Sequence, residues 1–278
     1  YRRSKFDHPD PNVLSRAIVW QKPIRDSKGR PIAGLTRSTA MAVRPLSKEN
    51  NLGECRCKFI RFDNIDIGPD PKDLKVTFLP DYDDLIWVPA TFEPEASQSY
   101  TFCQEPGLVL LPDNRLFTTM RTANGQIWYS VSDDDGHSWR PTEVLRFRDG
   151  GDPMLNPVAP TLIFRFADGR YLLFLQNHDG YGYGGRGPLG LNSRRPQFMA
   201  VGEYRENAHQ PVWFSEPLLF YDTQNVGVHP FFMKWLSMYA SLTEDKGKRI
   251  FWYTDRKTFA LGRYITDDML APLTVPGL

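Results

Sequence analysis

The sequence predicts an all-β fold, a β-propeller built from repeated antiparallel hairpins, and three observations carry that prediction. Aromatic residues make up 13% and apolar residues 41% of the 278-residue chain, enough for a large core and richer in rings than a helical bundle needs. The 21 glycines and 23 prolines supply many turns. Finally, one unit recurs: an apolar strand, an Asp/Asn/Gly turn, a basic residue and a second apolar strand, with turns at Gly29, Asn114, Gly169 and Gly247. The unequal spacing suits blades of roughly 40–50 residues carrying long insertions, as in propellers. A β-sandwich is the structural alternative. No long helical period runs through the chain, and residues 1–278 are expected to form a single domain.

In chain order, residues 1–17 read as an irregular lead-in, and 17–20, a turn at 26–29 and 31–43 as a hairpin. Residues 44–58 form a polar loop, 58–67 and 74–79 short strands, and 85–88 another; 89–104 cross from one sheet to the next. The strongest stretch is 105–139, where apolar residues alternate on either side of Pro112-Asp113-Asn114. Asn tolerates positive φ, so that reversal needs no glycine. Arg121 ends the second strand of this stretch, and 127–132 forms a third that runs into Ser132-x-Asp134-x-Gly136-x-Ser138-Trp139. In that turn Asp134 can accept successive backbone N–H groups, Gly136 can take a positive φ and Trp139 can plug the space beneath. A second hairpin spans 160–166 and 170–176 around Ala167-Asp168-Gly169, followed by a glycine-rich loop over 177–196. Strands follow at 197–204 and 212–220, then a hairpin over 239–243 and 249–254, and a short helix from Asp267.

A net charge of +1 gives no electrostatic case for nucleic acid or an anionic membrane as partner. No apolar run approaches the ~18 residues of a membrane-spanning helix. Cys55, Cys57 and Cys103 lack metal-ligand spacing and read as buried or free thiols, with one disulfide as the second choice. No metal or cofactor is expected. The glycine-rich Gly185-Arg186-Gly187-Pro188-Leu189-Gly190 is no nucleotide fingerprint, since no helix follows it. The chain opens on Tyr1 without a signal peptide, so a targeting segment, and some of the fold, is expected upstream.

The element Ser132-x-Asp134-x-Gly136-x-Ser138-Trp139 resembles an Asp box (BNR repeat) of the sialidase superfamily of β-propellers. The ordered set before it strengthens the likeness: Glu105, the hairpin through Leu111 to Leu116, Arg121 and then the box. Tyr239-Ala240-Ser241-Leu242-Thr243 is similar to the segment that carries the sialidase nucleophile, and Asn192-Ser193-Arg194-Arg195-Pro196 stands where a further arginine of that family is expected. The resemblance covers about residues 100–260 and implies a six-bladed propeller, incomplete at its N-terminal end, that hydrolyses a terminal and acidic sugar. The chain departs from the family in three places. The family's opening arginine and its acid/base aspartate are not recognisable before residue 100, no Asp box follows Arg194 and Arg195, and only Asp255 stands near the place of the glutamate after the tyrosine.

Candidate chemistry follows from residue types. Tyrosine, with a reference pKa of about 10, needs a nearby carboxylate to take its proton before it can attack. Sialidases depart from the two-carboxylate scheme of glycoside hydrolysis in using such a tyrosine. Tyr239 as nucleophile with Glu105 as its base is the expectation that the resemblance implies. Arg121 and either Arg194 or Arg195 are the candidate anion clamps, because guanidinium forks hold a carboxylate bidentately, with Arg37 as a third. In the glycine-rich loop His178 and Tyr181 can contact sugar hydroxyls, and Asp179 can stand in for the missing general acid. The partner expected is a glycan or polysaccharide, and the expected location is secreted or periplasmic. A propeller polysaccharide lyase acting on uronates and a non-catalytic glycan-binding propeller are the alternatives.

Overall fold

The structure, a computed structural model, describes residues 17–18, 22–38, 55–80, 85–93, 98–181, 194–229, 232–236 and 239–277. It is all-β and propeller-like, with four blade-like sheets among the described residues. The first sheet contains β1 (Ala17–Ile18), β2 (Ile24–Arg25), β3 (Pro31–Ser38), β4 (Cys55–Phe62) and β5 (Val76–Leu79), with β1 and β2 sharing one edge of β3. A separate two-stranded ribbon, β6 (Thr91–Glu93) with β7 (Gln98–Tyr100), leads to the second sheet. That sheet is β8 (Cys103–Leu110), β9 (Leu116–Thr122), β10 (Trp128–Ser132) and β11 (Glu143–Val144), paired in sequence order. The third runs β12 (Ile163–Arg165), β13 (Tyr171–Leu175), β14 (Gln197–Tyr204), then β15 (Val212–Phe214) and β16 (Leu218–Tyr221), both on the far edge of β14. The fourth is β17 (Ser241–Asp245), β18 (Lys248–Asp255) and β19 (Phe259–Tyr264), followed by α1 (Asp267–Leu270).

The recurring unit of the sequence is the first hairpin of each sheet. In three of them the turn is the same three-residue loop. The N–H of Asp26, Leu111 or Phe166 donates to the carbonyl four residues on, and Gly29, Asn114 or Gly169 donates back from a left-handed conformation. This is the type I turn with a left-handed third residue that three-residue hairpins favour. An aspartate locks each one: Asp26, Asp113 and Asp168 accept both the N–H and the Nε–H of Arg30, Arg115 and Arg170. The fourth hairpin closes instead on Lys246 and Gly247, both left-handed.

Apolar alternation then packs one sheet on the next. Tyr171, Leu173 and Leu175 of β13 face the second sheet, and Leu172 and Phe174 face the fourth, so the whole strand is buried. Phe174 stacks on Phe251 with ring centres 3.9 Å apart, joining the third sheet to the fourth. Between the first two sheets, Phe59 stacks at 4.6 Å on Trp139, the residue expected to plug the turn after β10. In that turn Asp134 accepts the Ser138 N–H and hydroxyl, and Ser132 Oγ accepts the Gly136 N–H. Residues of β2, β8, β12 and β17 line a common opening of about 480 Å³, which places the first hairpins around one centre.

Several boundaries differ from the sequence reading. β4 begins at Cys55, inside the expected loop, because its strand residues pair along β3 and against Phe102 and Ile86. Residues 65–67 form a 3₁₀ turn rather than the end of a strand. The expected strand at 85–88 is a single bridge at Ile86, and the expected crossing at 89–104 contains the β6–β7 ribbon and the start of β8. The expected strand at 212–220 splits at Ser215, whose hydroxyl takes the Val201 N–H. β19 was not expected at all. The three cysteines are buried thiols, with Cys57 Sγ 3.3 Å from Cys103 Sγ. No helix among the described residues is long and apolar enough to cross a membrane.

Candidate functional site

Glu105 sits inside β8 rather than at its end. The register against β9 slips between Gln104 and Gly107, and Glu105 takes a φ of 50°, so Glu105-Pro106 form a bulge. Bulges re-aim a side chain, and here two contacts fix the result. The Glu105 N–H donates to Thr36 Oγ1 of β3 at 2.8 Å, and Gly34 leaves room for the Pro106 carbonyl, which would lie 2.3 Å from a Cβ there. The Glu105 side chain, 1% exposed, then meets Arg121 of β9, 4% exposed, whose Nη1 donates to Glu105 Oε1. Glu105 Oε2 and Arg121 Nε are buried without a hydrogen-bond partner, a state that native proteins reserve for special positions. Burial pushes the Glu105 pKa up, against the pull of Arg121, Arg194 and Lys257.

Arg194, 3% exposed, joins this pair. Its backbone carbonyl accepts the Leu236 N–H at 2.8 Å, which docks it against the segment that leads to β17. Burial, then the like charge of Arg121, brings its pKa down to about 10, while the Tyr239 hydroxyl and Glu105 act the other way. The Tyr239 hydroxyl accepts a hydrogen bond from the Arg194 guanidinium. Tyr239 is half-buried and lies just before β17 rather than within it. The structure therefore gathers Glu105, Arg121, Arg194 and Tyr239 into one cluster, from elements in the second sheet, the loop before β14 and the entry to β17.

The remaining candidates are placed differently. Arg195 grips Asp222 with two bonds of 2.9 and 2.8 Å, and so serves the neighbouring loop. His178 accepts the Gly180 N–H on Nδ1 and sits 3.0 Å from the Arg195 carbonyl through Nε2, so both ring nitrogens hold backbone. The Asp179 carboxylate accepts the Tyr181 N–H, and its backbone lies against Gly125. Tyr181 is 69% exposed. Arg37 follows Thr36 along β3 and so projects from the opposite face of that strand, in register with Arg56. Asp255 is bound to Arg256 and to the Tyr221 hydroxyl. Residues 182–193 of the glycine-rich loop lie outside the described residues.

One participant was missed by the sequence. Lys257, in the turn between β18 and β19, places its Nζ 6.0 Å from the centre of the Tyr239 ring. Partial burial, then the nearby Arg194 and Arg121, lower its pKa. The cluster thus holds three cations against one carboxylate. Such an arrangement attracts an anion and can stabilise negative charge that develops beside it. No group of residues able to hold a metal ion occurs among the described residues.

No protein-family model matches the chain, and no curated protein matches it in sequence. Among solved structures it is similar to the intramolecular trans-sialidase of Ruminococcus gnavus in complex with oseltamivir carboxylate, at 15% identity and a TM-score of 0.52, covering 92% of this chain and 44% of that one. It is also similar to an α-L-arabinofuranosidase of Clostridium thermocellum, at 11% identity and a TM-score of 0.44 over 86% of this chain and 62% of that one. A Trypanosoma rangeli sialidase matches at 8% identity and a TM-score of 0.39 over 94% and 47%. The chain spans less than two thirds of each of these relatives. Of these three, the Ruminococcus gnavus structure reaches a TM-score above 0.5, and at 15% identity its likeness speaks to the fold alone.

Proposed function

We propose that the chain is a sialidase-like exo-glycoside hydrolase that removes a terminal acidic sugar from a glycan or polysaccharide. The observation that carries this reading is the buried Glu105–Arg121 pair beside Arg194, whose guanidinium holds the Tyr239 hydroxyl. In the reading, Arg121 and Arg194 bind the sugar's anionic group, which loosens Arg121 from Glu105. Tyr239 gives its proton to Glu105 as its oxygen attacks the anomeric carbon, and the leaving oxygen takes a proton from an acid. Water then attacks the anomeric carbon, giving its proton back to the deprotonated acid, the glycosyl–tyrosine bond breaks, and the Tyr239 oxygen regains its proton from Glu105. A carboxylate whose pKa burial has raised is the better proton acceptor for this task. Asp179, whose Oδ1 accepts the Tyr181 N–H, remains the proposed acid.

Tyr239→Phe and Glu105→Gln, assayed on acidic and neutral glycans, are each expected to lower kcat by about 10²–10⁴. Full turnover by both variants sinks the mechanism. An unsaturated, ultraviolet-absorbing product would assign the site to a lyase instead, and binding without turnover to a lectin-like propeller. Two coarser expectations travel with the reading. A six-bladed ring would need two sheets beyond the four described, which an experimental structure can count. A secreted or periplasmic location is open to fractionation of the native cells.

A further inference from the structure

The turn between β18 and β19 is built in a way its residues do not favour. Thr258 N–H donates to the Asp255 carbonyl at 2.9 Å, and the two residues between, Arg256 and Lys257, have φ of 47° and 55°. This is the positive-φ pattern for which hairpins use Asn-Gly, because a side chain crowds the backbone there. Residues held in such conformations cluster at functional sites. Arg256 has a structural reason to be there. It donates to both Asp255 oxygens at 2.9 and 2.7 Å, to the Tyr221 hydroxyl at 3.1 Å and to the Val226 carbonyl at 3.1 Å. Lys257 has none of this: no carboxylate pairs with it among the described residues. Its ammonium is instead directed to the Tyr239 ring, on the side where Arg121 and Arg194 already place two like charges. A turn that Asn or Gly would relieve therefore carries a third cation to a site that repels it, and an incoming anion reverses that repulsion.

We propose that Lys257 is a specificity-determining residue, whose ammonium takes the anionic substituent of the substrate together with Arg194 and so selects acidic over neutral sugars. The proposal rests on the reading of this cluster as the substrate site, but it makes a claim about anion binding that does not need turnover. Its test uses Lys257→Gly, which removes the ammonium and relaxes the left-handed backbone, with Lys257→Arg restoring the charge. The probe is inorganic sulfate, titrated calorimetrically into the whole chain. Loss of one charged contact is expected to weaken sulfate binding about 10–100-fold in Lys257→Gly, with Lys257→Arg within a few-fold of the parent. The melting temperature of Lys257→Gly is expected to equal or exceed that of the parent, since glycine suits the conformation. On glycans, Lys257→Gly is expected to raise KM for acidic substrates by a larger factor than for neutral ones.

Unchanged sulfate affinity in Lys257→Gly overturns the proposal, as does an equal loss on acidic and neutral substrates. Tyr239→Phe, which keeps all three cations, separates this outcome from the fate of the hydrolase reading. If Tyr239→Phe turns over normally while Lys257→Gly loses sulfate, the mechanism falls and the role of Lys257 stands.

Discussion

Arg194 and Arg195 are adjacent in sequence and opposite in use. Arg194 is buried beside Arg121, Glu105 and Tyr239. Arg195 is paired through both nitrogens with Asp222, and its carbonyl faces His178. Arg194→Met and Arg195→Met should therefore separate activity from stability. Arg194→Met takes away a like charge from Arg121 and Lys257, so kcat/KM is expected to fall by about 10²-fold or more with little change in melting temperature. Arg195→Met leaves Asp222 without its partner and is expected to cost about 1–3 kcal/mol in denaturant unfolding. The reverse pattern would show that the wrong arginine has been placed in the site. At this scale the sequence carried Glu105, Arg121 and Tyr239 through their order along the chain, but it could not choose between adjacent arginines. Lys257 was invisible in it, because a lysine in a polar turn reads as a solvated charge until the backbone is known to be left-handed. His178, which among glycines reads as a ligand-binding residue, has its ring nitrogens against two backbone groups.

The element that matters most is the bulge in β8. The period-2 alternation of 105–120 made the hairpin plain, but it placed Glu105 at a strand end. The signal for the bulge was Pro106, which cannot donate to a ladder and sits comfortably in a strand only where pairing is broken. What holds the bulge lies about seventy residues earlier, in the pairing of β3 beside it, and no local pattern reveals that Gly34 and Thr36 are its supports. A methyl group at position 34 would meet the Pro106 carbonyl oxygen at 2.3 Å and its ring at 2.7 Å. Backbone cannot swing aside as a side chain can, so Gly34→Ala must push β3 from β8 or shift the bulge. Overpacking of this kind costs about 1–3 kcal/mol. Gly34→Ala is expected to lower both the melting temperature and kcat/KM, the second through misplacement of Glu105. A variant with parental activity would mean that the bulge does not set the position of the carboxylate.

Across the whole molecule, the aspartate-locked turns do a second job. Each reaches the next sheet: Asp113 accepts the hydroxyl of Tyr204 in β14, and Asp168 accepts from Arg249 in β18. On the first turn the link runs the other way, since Asp135 of the second sheet accepts the Ser27 N–H and pairs with Lys28. The turns themselves were legible because a turn aspartate, an arginine just after it and a left-handed Asn or Gly are local chemistry; their partners were not, because those lie some eighty or more residues away. For all three carboxylates burial acts to raise the pKa, but the hydrogen bonds and nearby cations outweigh it and the net shift is downward. A folded pKa below the unfolded value of about 3.9 means stability that is fully present above that pH and lost as pH falls through the folded pKa. These groups are partly solvated, so each link is worth about 1 kcal/mol or less. Asp113→Asn combined with Asp168→Asn is therefore expected to lower the melting temperature at pH 7 by several degrees, with the gap to the parent narrowing as pH falls below the unfolded value of about 3.9. Melting curves of both proteins across pH 2–8 test this. Parallel curves, with the same gap at the acid end as at neutrality, would show that the turns act through packing and not through their charge.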